Sequence, residues 1–269
     1  MSYRALVCDL DGTLLPEPPD LDPDLVEGCR RAVARGLIMS IATGRMPPGA
    51  ERYAVELGLT APGIFYNGAL VRDQEEGRDL MRLTLPRGLI WRAHEVFAHA
   101  PINPLFYRDD QLYCLEESWP VRLYSQEQAV PLEVIDAPAD FLSMGGFVKS
   151  LFIGHPQTLP LVRDDLTHAV GGEARLVMTR KNYLEMIPPA ASKGAALRFL
   201  AEHLDVPLDE IVAVGDQEND LEMIHAAGLG IAMPAAPERV RREAGRVAPT
   251  PEKGGLLALF RDILPEYFD

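Results

Sequence analysis

Short apolar runs alternate with helical periodicity at both ends of this chain. Ala5-Leu6-Val7-Cys8 is a continuous apolar run of strand length, and residues 22–35 follow with apolar positions at helical spacing. Asp22 or Asp24 supplies the cap of that helix and Gly36 its stop. Residues 37–42 (LIMSIA) read as a second strand, 49–57 as a helix and 63–66 as a third strand. The rhythm returns near the end: helix over 192–204, strand over 210–214, helix over 220–227 stopped by Gly228, strand over 229–233, then helices over 238–244 and 256–263. Apolar strands that alternate with helices predict an α/β fold, a Rossmann-like doubly wound parallel sheet covered on both faces.

The middle of the chain has another pattern. Residues 104–107 and 112–115 flank Asp109-Asp110 as a hairpin, and a strand (148–153), a helix (159–169) and two strands (175–178, 183–187) follow. This reads as an inserted α+β domain over 84–188, with Leu85-Pro86 and Pro188-Pro189 at its connections. Residues 1–83 and 189–269 then form one core. Trp91, Tyr107 and Trp119 read as packing residues of the insert, and Arg180-Lys181 as an exposed basic pair.

Composition narrows the partners. The chain has 269 residues and a net charge of −14, which argues against a nucleic acid or an anionic membrane surface. A small anionic substrate stays open wherever local basic groups receive it. Cys8, Cys29 and Cys114 are odd in number and widely separated, so they form neither a disulfide framework nor a ligand set, and a reducing cytoplasm is expected. The first strand begins almost at Met1 and no apolar run approaches the ~18 residues of a membrane span, so neither a signal peptide nor a spanning helix is expected. The pattern is silent on oligomeric state.

Candidate chemistry concentrates in residues 7–15, VCDLDGTLL. Asp-Gly between apolar stretches signals a hairpin, but the second arm is three residues long before Pro16. The better placement puts Asp9 and Asp11 at the carboxyl end of one strand, where alternate side chains point the same way. Two such charges repel unless a cation sits beside them. Three further polar clusters belong to the same sheet edge, where ligands of open α/β sheets gather. Thr43-Gly44-Arg45 ends the second strand, residues 215–220 (GDQEND) end the strand over 210–214, and Lys193 heads the helix before it. Each has a plainer reading: a turn for Thr43-Gly44, a helix cap for Asn219 or Asp220, a solvated side chain for Lys193. A lysine in a first helical turn nevertheless opposes the helix dipole and hints at an anion nearby.

Taken in order, DLDGTLL, ATGR, SKGAAL and GDQENDLEM resemble the haloacid dehalogenase superfamily of phosphohydrolases. The position of the insert, YNGA at residues 66–69, YLEMIPPAASKG and GIAMPAAPERV are similar to its Cof-like branch with a large α/β cap. The resemblance implies a phosphatase acting on a small phosphorylated metabolite, with a phosphomutase or an idle phosphate-binding module as alternatives. It implies Asp9 as nucleophile and Asp11 as acid and base. Leu10, Thr43, Gly44, Lys193 and Asn219 would hold the phosphoryl oxygens. Mg²⁺ would bind through Asp9, Asp216 and the backbone of Asp11, with Asp220 in support. An acid two residues after the nucleophile argues against carbon–halogen cleavage. Pro234-Ala235 and Gly254-Gly255-Leu256 depart from the family pattern in loops that flank the core site.

Overall fold

A computed structural model describes residues 3–15, 20–98 and 100–269. The chain divides into two compact units, one of Met1–Met46, Ala50–Met81 and Ser192–Asp269, the other of Pro47–Gly49 and Arg82–Ala191. The first stretch of chain supplies β1 (Ala5–Cys8), α1 (Pro23–Ala34), β2 (Ile38–Ile41), α2 (Pro47–Leu57), β3 (Gly63–Phe65), β4 (Leu70–Arg72) and β5 (Asp79–Arg82). Asp22 caps α1, its Oδ1 accepting from the amides of Asp24 (2.8 Å) and Leu25 (3.3 Å).

The second unit carries α3 (Leu89–Phe97), β6 (Ile102–Arg108), β7 (Gln111–Cys114), α4 (Trp119–Gln128), β8 (Leu132–Val134), α5 (Pro138–Ser143), β9 (Phe147–Gly154), α6 (Leu159–Val170), β10 (Arg175–Arg180) and β11 (Tyr183–Ile187). Its six-stranded sheet runs β10-β11-β9-β6-β7-β8, antiparallel throughout except for the parallel β7–β8 pair. Asp109 and Asp110 both adopt positive φ (51° and 57°), the backbone of a type I′ turn, which sets the β6–β7 register. One face buries Phe106, Phe152, Leu184 and Met186 against α3, α5 and α6. On the other, Lys149 Nζ pairs with Glu185 Oε1 at 3.0 Å and lies 4.6 Å from the centre of the Tyr107 ring. The Tyr107 hydroxyl donates to that of Tyr124 on α4 at 2.6 Å, so the buried charges sit inside a closed polar network. Tyr107 packs as expected. Trp119 does not: it begins α4 with 74% of its surface exposed.

The chain returns to the first unit with α7 (Lys193–Leu204), β12 (Ile211–Gly215), α8 (Leu221–Ala226), β13 (Leu229–Ala232), α9 (Glu238–Glu243), β14 (Arg246–Val247), α10 (Gly255–Ile263) and α11 (Pro265–Phe268). The parallel sheet has the order β14-β13-β12-β1-β2. Ala5, Val7 and Ala213 pack on α7 residues Ala196, Leu197 and Leu200, while α1 packs with α10 and α11. The third strand differs from expectation. It ends at Phe65, pairs antiparallel with β4, and touches the parallel sheet through the single bridge Ala42–Ile64. Among the described residues no helix is long and apolar enough to cross a membrane.

Register decides where the polar clusters fall. Cys8 lies opposite both Val214 and Ile41, so Asp9, the Gly215-Asp216 step and the Ala42-Thr43 step emerge side by side at one edge. Two further ladder bonds, Asp9 N to Val214 O and Ala42 N to Cys8 O (2.8 Å each), hold that edge.

The thiols provide a check on this packing. All three are buried; burial raises Cys8 well above the usual thiol range, Cys29 to about 12 and Cys114 to about 11. Few thiolates then exist near neutral pH. An aromatic disulfide reagent at pH 8 should leave the native protein almost unmodified, and should titrate all three thiols once denaturant is added.

Candidate active site

Lys193 occupies the first turn of α7, yet only 1% of its surface is exposed. Its ammonium lies 2.5 Å from Asp9 Oδ1 and 2.6 Å from Asp220 Oδ1. This resolves the oddity of a cation at a helix start, because two carboxylates outweigh the dipole. Ser192 caps the helix, accepting from the amide of Ala195 (3.0 Å) and donating to Glu222 (2.5 Å).

Asp220 shapes the loop after β12. Its Oδ2 accepts from the amides of Asp216 and Gln217, each at 2.9 Å, while Oδ1 holds Lys193. The loop then turns through a short 3₁₀ segment, Glu218–Asp220, before α8, so the helix expected over 220–227 starts one residue later. Asp216 receives the Gln217 side chain at 2.7 Å and the Thr13 hydroxyl at 3.5 Å. Gly12 must be glycine twice over: its φ is +83°, and a Cβ would lie 2.4 Å from Asp216 Oδ2.

Asp9, Asp216 and Asp220 are all buried and offer oxygens within 4.8 Å of one another. Three carboxylates surround one ammonium, and the two uncompensated charges are costly away from water. Asp9 is accordingly held well above the usual carboxylate range, by burial first and then by Asp220 and Asp216, with Lys193 opposing. Burial likewise raises Asp216, with Asp220 adding to it and the Gln217 side chain opposing. For Lys193, burial would lower the pKa, but Asp220 and Asp9 outweigh it and raise it. Two carboxylates touch only when a proton or a cation lies between them. A cluster of hard oxygen donors suits a divalent cation of the Mg²⁺ type, and such residues fit one here. Asp220, committed on both oxygens, fits the role of support.

Asp11 goes elsewhere. The strand ends at Cys8, and a turn closed by Leu15 N to Leu10 O and Gly12 N to Leu15 O (2.8 Å each) breaks the alternation that would align Asp11 with Asp9. Asp11 instead accepts a bidentate pair from Arg45, at 2.8 Å from Nε and 2.5 Å from a terminal nitrogen. Among the described residues its carboxylate is not part of the acidic cluster. Arg45 is buried, with its guanidinium 5.3 Å from the centre of the Tyr53 ring. Thr43 is fully buried and its Oγ1 accepts from the amide of Arg45 at 3.1 Å. Leu10 is buried between the two aspartates. Asn219 donates to Asn67 Oδ1 at 3.0 Å, and Asn67 in turn stands against Gly44.

Sequence reasoning placed Thr13, Arg45 and Gln217 in the polar clusters of this edge but gave them no role, and it left Asn67 out of the site. Asn67-Gly68 is visible as a turn. The contacts of Gln217 with Asp216 and of Arg45 with Asp11 have no signal in the pattern.

The family model for haloacid dehalogenase-like hydrolases matches residues 6–260. The chloroplastic endoribonuclease YBEY of Arabidopsis thaliana is 28% identical over 96% of this chain, but the chain spans only 46% of that protein's length. The 5-amino-6-(5-phospho-D-ribitylamino)uracil phosphatase YitU of Bacillus subtilis is 26% identical, covering 98% of this chain and 97% of its own. A haloacid dehalogenase-like hydrolase from Bacteroides thetaiotaomicron superposes with a TM-score of 0.90 at 24% identity, over 97% of this chain and all of that one. With a sheet edge that gathers Asp9, Thr43, Lys193 and Asp216 and a family match over nearly its whole length, the chain belongs to the haloacid dehalogenase-like hydrolases.

Proposed function

We propose that this protein is a Mg²⁺-dependent phosphatase that hydrolyses a small phosphorylated metabolite through an aspartyl-phosphate on Asp9. The observation that carries the reading is the buried pairing of Asp9 with Lys193, with Asp216 and Asp220 oxygens within 4.8 Å, at the end of β1. The family match supports it, and so does the YitU relative, whose name specifies a phosphorylated small molecule.

Asp9 attacks phosphorus, and the bond from phosphorus to the leaving oxygen breaks as Asp11 gives that oxygen its proton. Water then attacks the aspartyl-phosphate, Asp11 takes a proton from it, and the Asp9–phosphorus bond breaks to release inorganic phosphate. Lys193, Thr43, the amides of Leu10 and Gly44, and Asn219 hold the phosphoryl oxygens, where positioning and charge carry most of the rate. Asp9, Asp216 and the Asp11 backbone, with Asp220 in support, would hold Mg²⁺, which would supply positive charge that lets an anionic nucleophile approach an anionic ester. Arg45 occupies both oxygens of Asp11, so release from Arg45 is what frees Asp11 to reach the leaving oxygen.

Phosphate release from a phospho-metabolite panel should require Mg²⁺, stop with EDTA, and fall at least ~10³-fold in Asp9→Asn. Folded Asp9→Asn with near-normal turnover would sink the reading. Asp11→Asn should lose roughly tenfold more activity on an alkyl phosphate than on p-nitrophenyl phosphate, whose leaving group needs no acid. Equal losses would mean that Asp11 does not protonate the leaving oxygen.

The cluster also predicts a pH signature. Asp9 and Asp216 have folded-state pKa values above the unfolded value of 3.8, so the native metal-free protein binds the extra protons. Its stability should therefore fall as pH rises from about 4 through the folded values. Asp216→Asn removes part of that burden. Its melting temperature without metal should exceed the wild type's by an amount that grows with pH, and its gain from Mg²⁺ should be smaller.

A further inference from the structure

The turn after β3 is conformationally costly. Tyr66 and Asn67 both take positive φ (52° and 56°), and Tyr66 is a bulky side chain with no surface exposed. Left-handed backbone disfavours such residues unless the surroundings enforce it. Here they do. The Tyr66 amide donates to Arg45 O, and the Asn67 amide to Thr43 O, both at 3.0 Å. The next residue, Gly68, has φ +92°, and a Cβ there would lie 2.1 Å from Ser192 O. The turn is thus wedged between the loop after β2 and the head of α7.

The Asn67 side chain reaches the remaining part of the site. Its Oδ1 accepts from Asn219 Nδ2 at 3.0 Å, and its amide group stands 3.0–3.2 Å from where a Cβ on Gly44 would sit. One buried amide therefore meets both Gly44 and Asn219, on separate loops, while its flanking backbone fixes Thr43 and Ser192. These are the segments to which the phosphatase reading assigns the phosphoryl oxygens.

We infer that Asn67 is a positioning residue for oxyanion binding: it sets the orientation of the Asn219 amide and the approach of the Gly44 backbone, and so tunes the affinity of the site for a phosphoryl group. The inference rests on the phosphatase reading for what the cradle holds, but it concerns a residue outside the nucleophile, acid and metal set. A residue kept only for its turn would behave differently, because glycine adopts the left-handed region more readily than asparagine.

The test compares wild type, Asn67→Gly, Asn219→Ala and the double variant, with kcat and KM on p-nitrophenyl phosphate and calorimetric binding of inorganic phosphate, both with Mg²⁺. Asn67→Gly should stay folded by circular dichroism and lose about tenfold or more in both kcat/KM and phosphate affinity. The double variant should be no worse than the weaker single variant, since both changes remove one arrangement. Asn67→Gly within twofold of wild type on both readouts overturns the inference, and so do losses that multiply in the double variant. Should wild type bind phosphate but hydrolyse no ester, the phosphatase reading fails while phosphate affinity still decides the role of Asn67. A wild type that binds no phosphate overturns both.

Discussion

The ammonium of Lys193 is the charge around which the first unit is arranged. It contacts both Asp9 and Asp220 in a buried space, and Asp220 in turn accepts from the amides that shape the loop after β12. Removing one partner of such a buried pair costs ~3–5 kcal/mol, because the charges left behind have no solvent to turn to. Geometry at this site therefore depends on electrostatics more than on packing. The glycines follow from the same constraint: Gly12 and Gly215 stand where a side chain would collide with Asp216 or Asp220.

The acidic cluster and the Asp11–Arg45 pair are separate electrostatic solutions a few residues apart. Asp9 and Asp216 share one buried space in which their charges are not fully balanced, whereas Asp11 has a planar, bidentate partner. The first arrangement is poised for a ligand of opposite charge. The second stores a carboxylate in a defined place until something competes for Arg45. Two aspartates separated by a single leucine thus end in different environments, because the turn after Cys8 reverses the chain between them.

Much of this was legible in the sequence, for identifiable reasons. β1 and its Asp9 terminus stood out because a fully buried parallel strand has no polar alternation to confuse its limits, and Asp22 announced α1 because a cap is local chemistry. Lys193 was visible as a violation of the helix dipole, and its burial gives the cause. What escaped depends on tertiary geometry. β4 and β5 lie in a strongly charged stretch, and α4 and α5 are short and carry a proline in the first turn, so their periodicity is weak. The pairing of Asp11 with Arg45 and of Asn219 with Asn67 joins residues 34 and 152 positions apart, which no local pattern encodes.

Asp9 and Lys193 are 184 residues apart, with the whole second unit between them. The strand that leads into Asp9 therefore leaves a ribosome well before its counter-charge and β12. Until then β1 has only β2 beside it, and burying Asp9 would strand a bare carboxylate, so the parallel sheet gains little by closing early. The second unit pairs its strands over shorter separations and can condense in the interval. The order of synthesis thus favours a nascent chain whose buried charge cluster locks only after the second unit has formed.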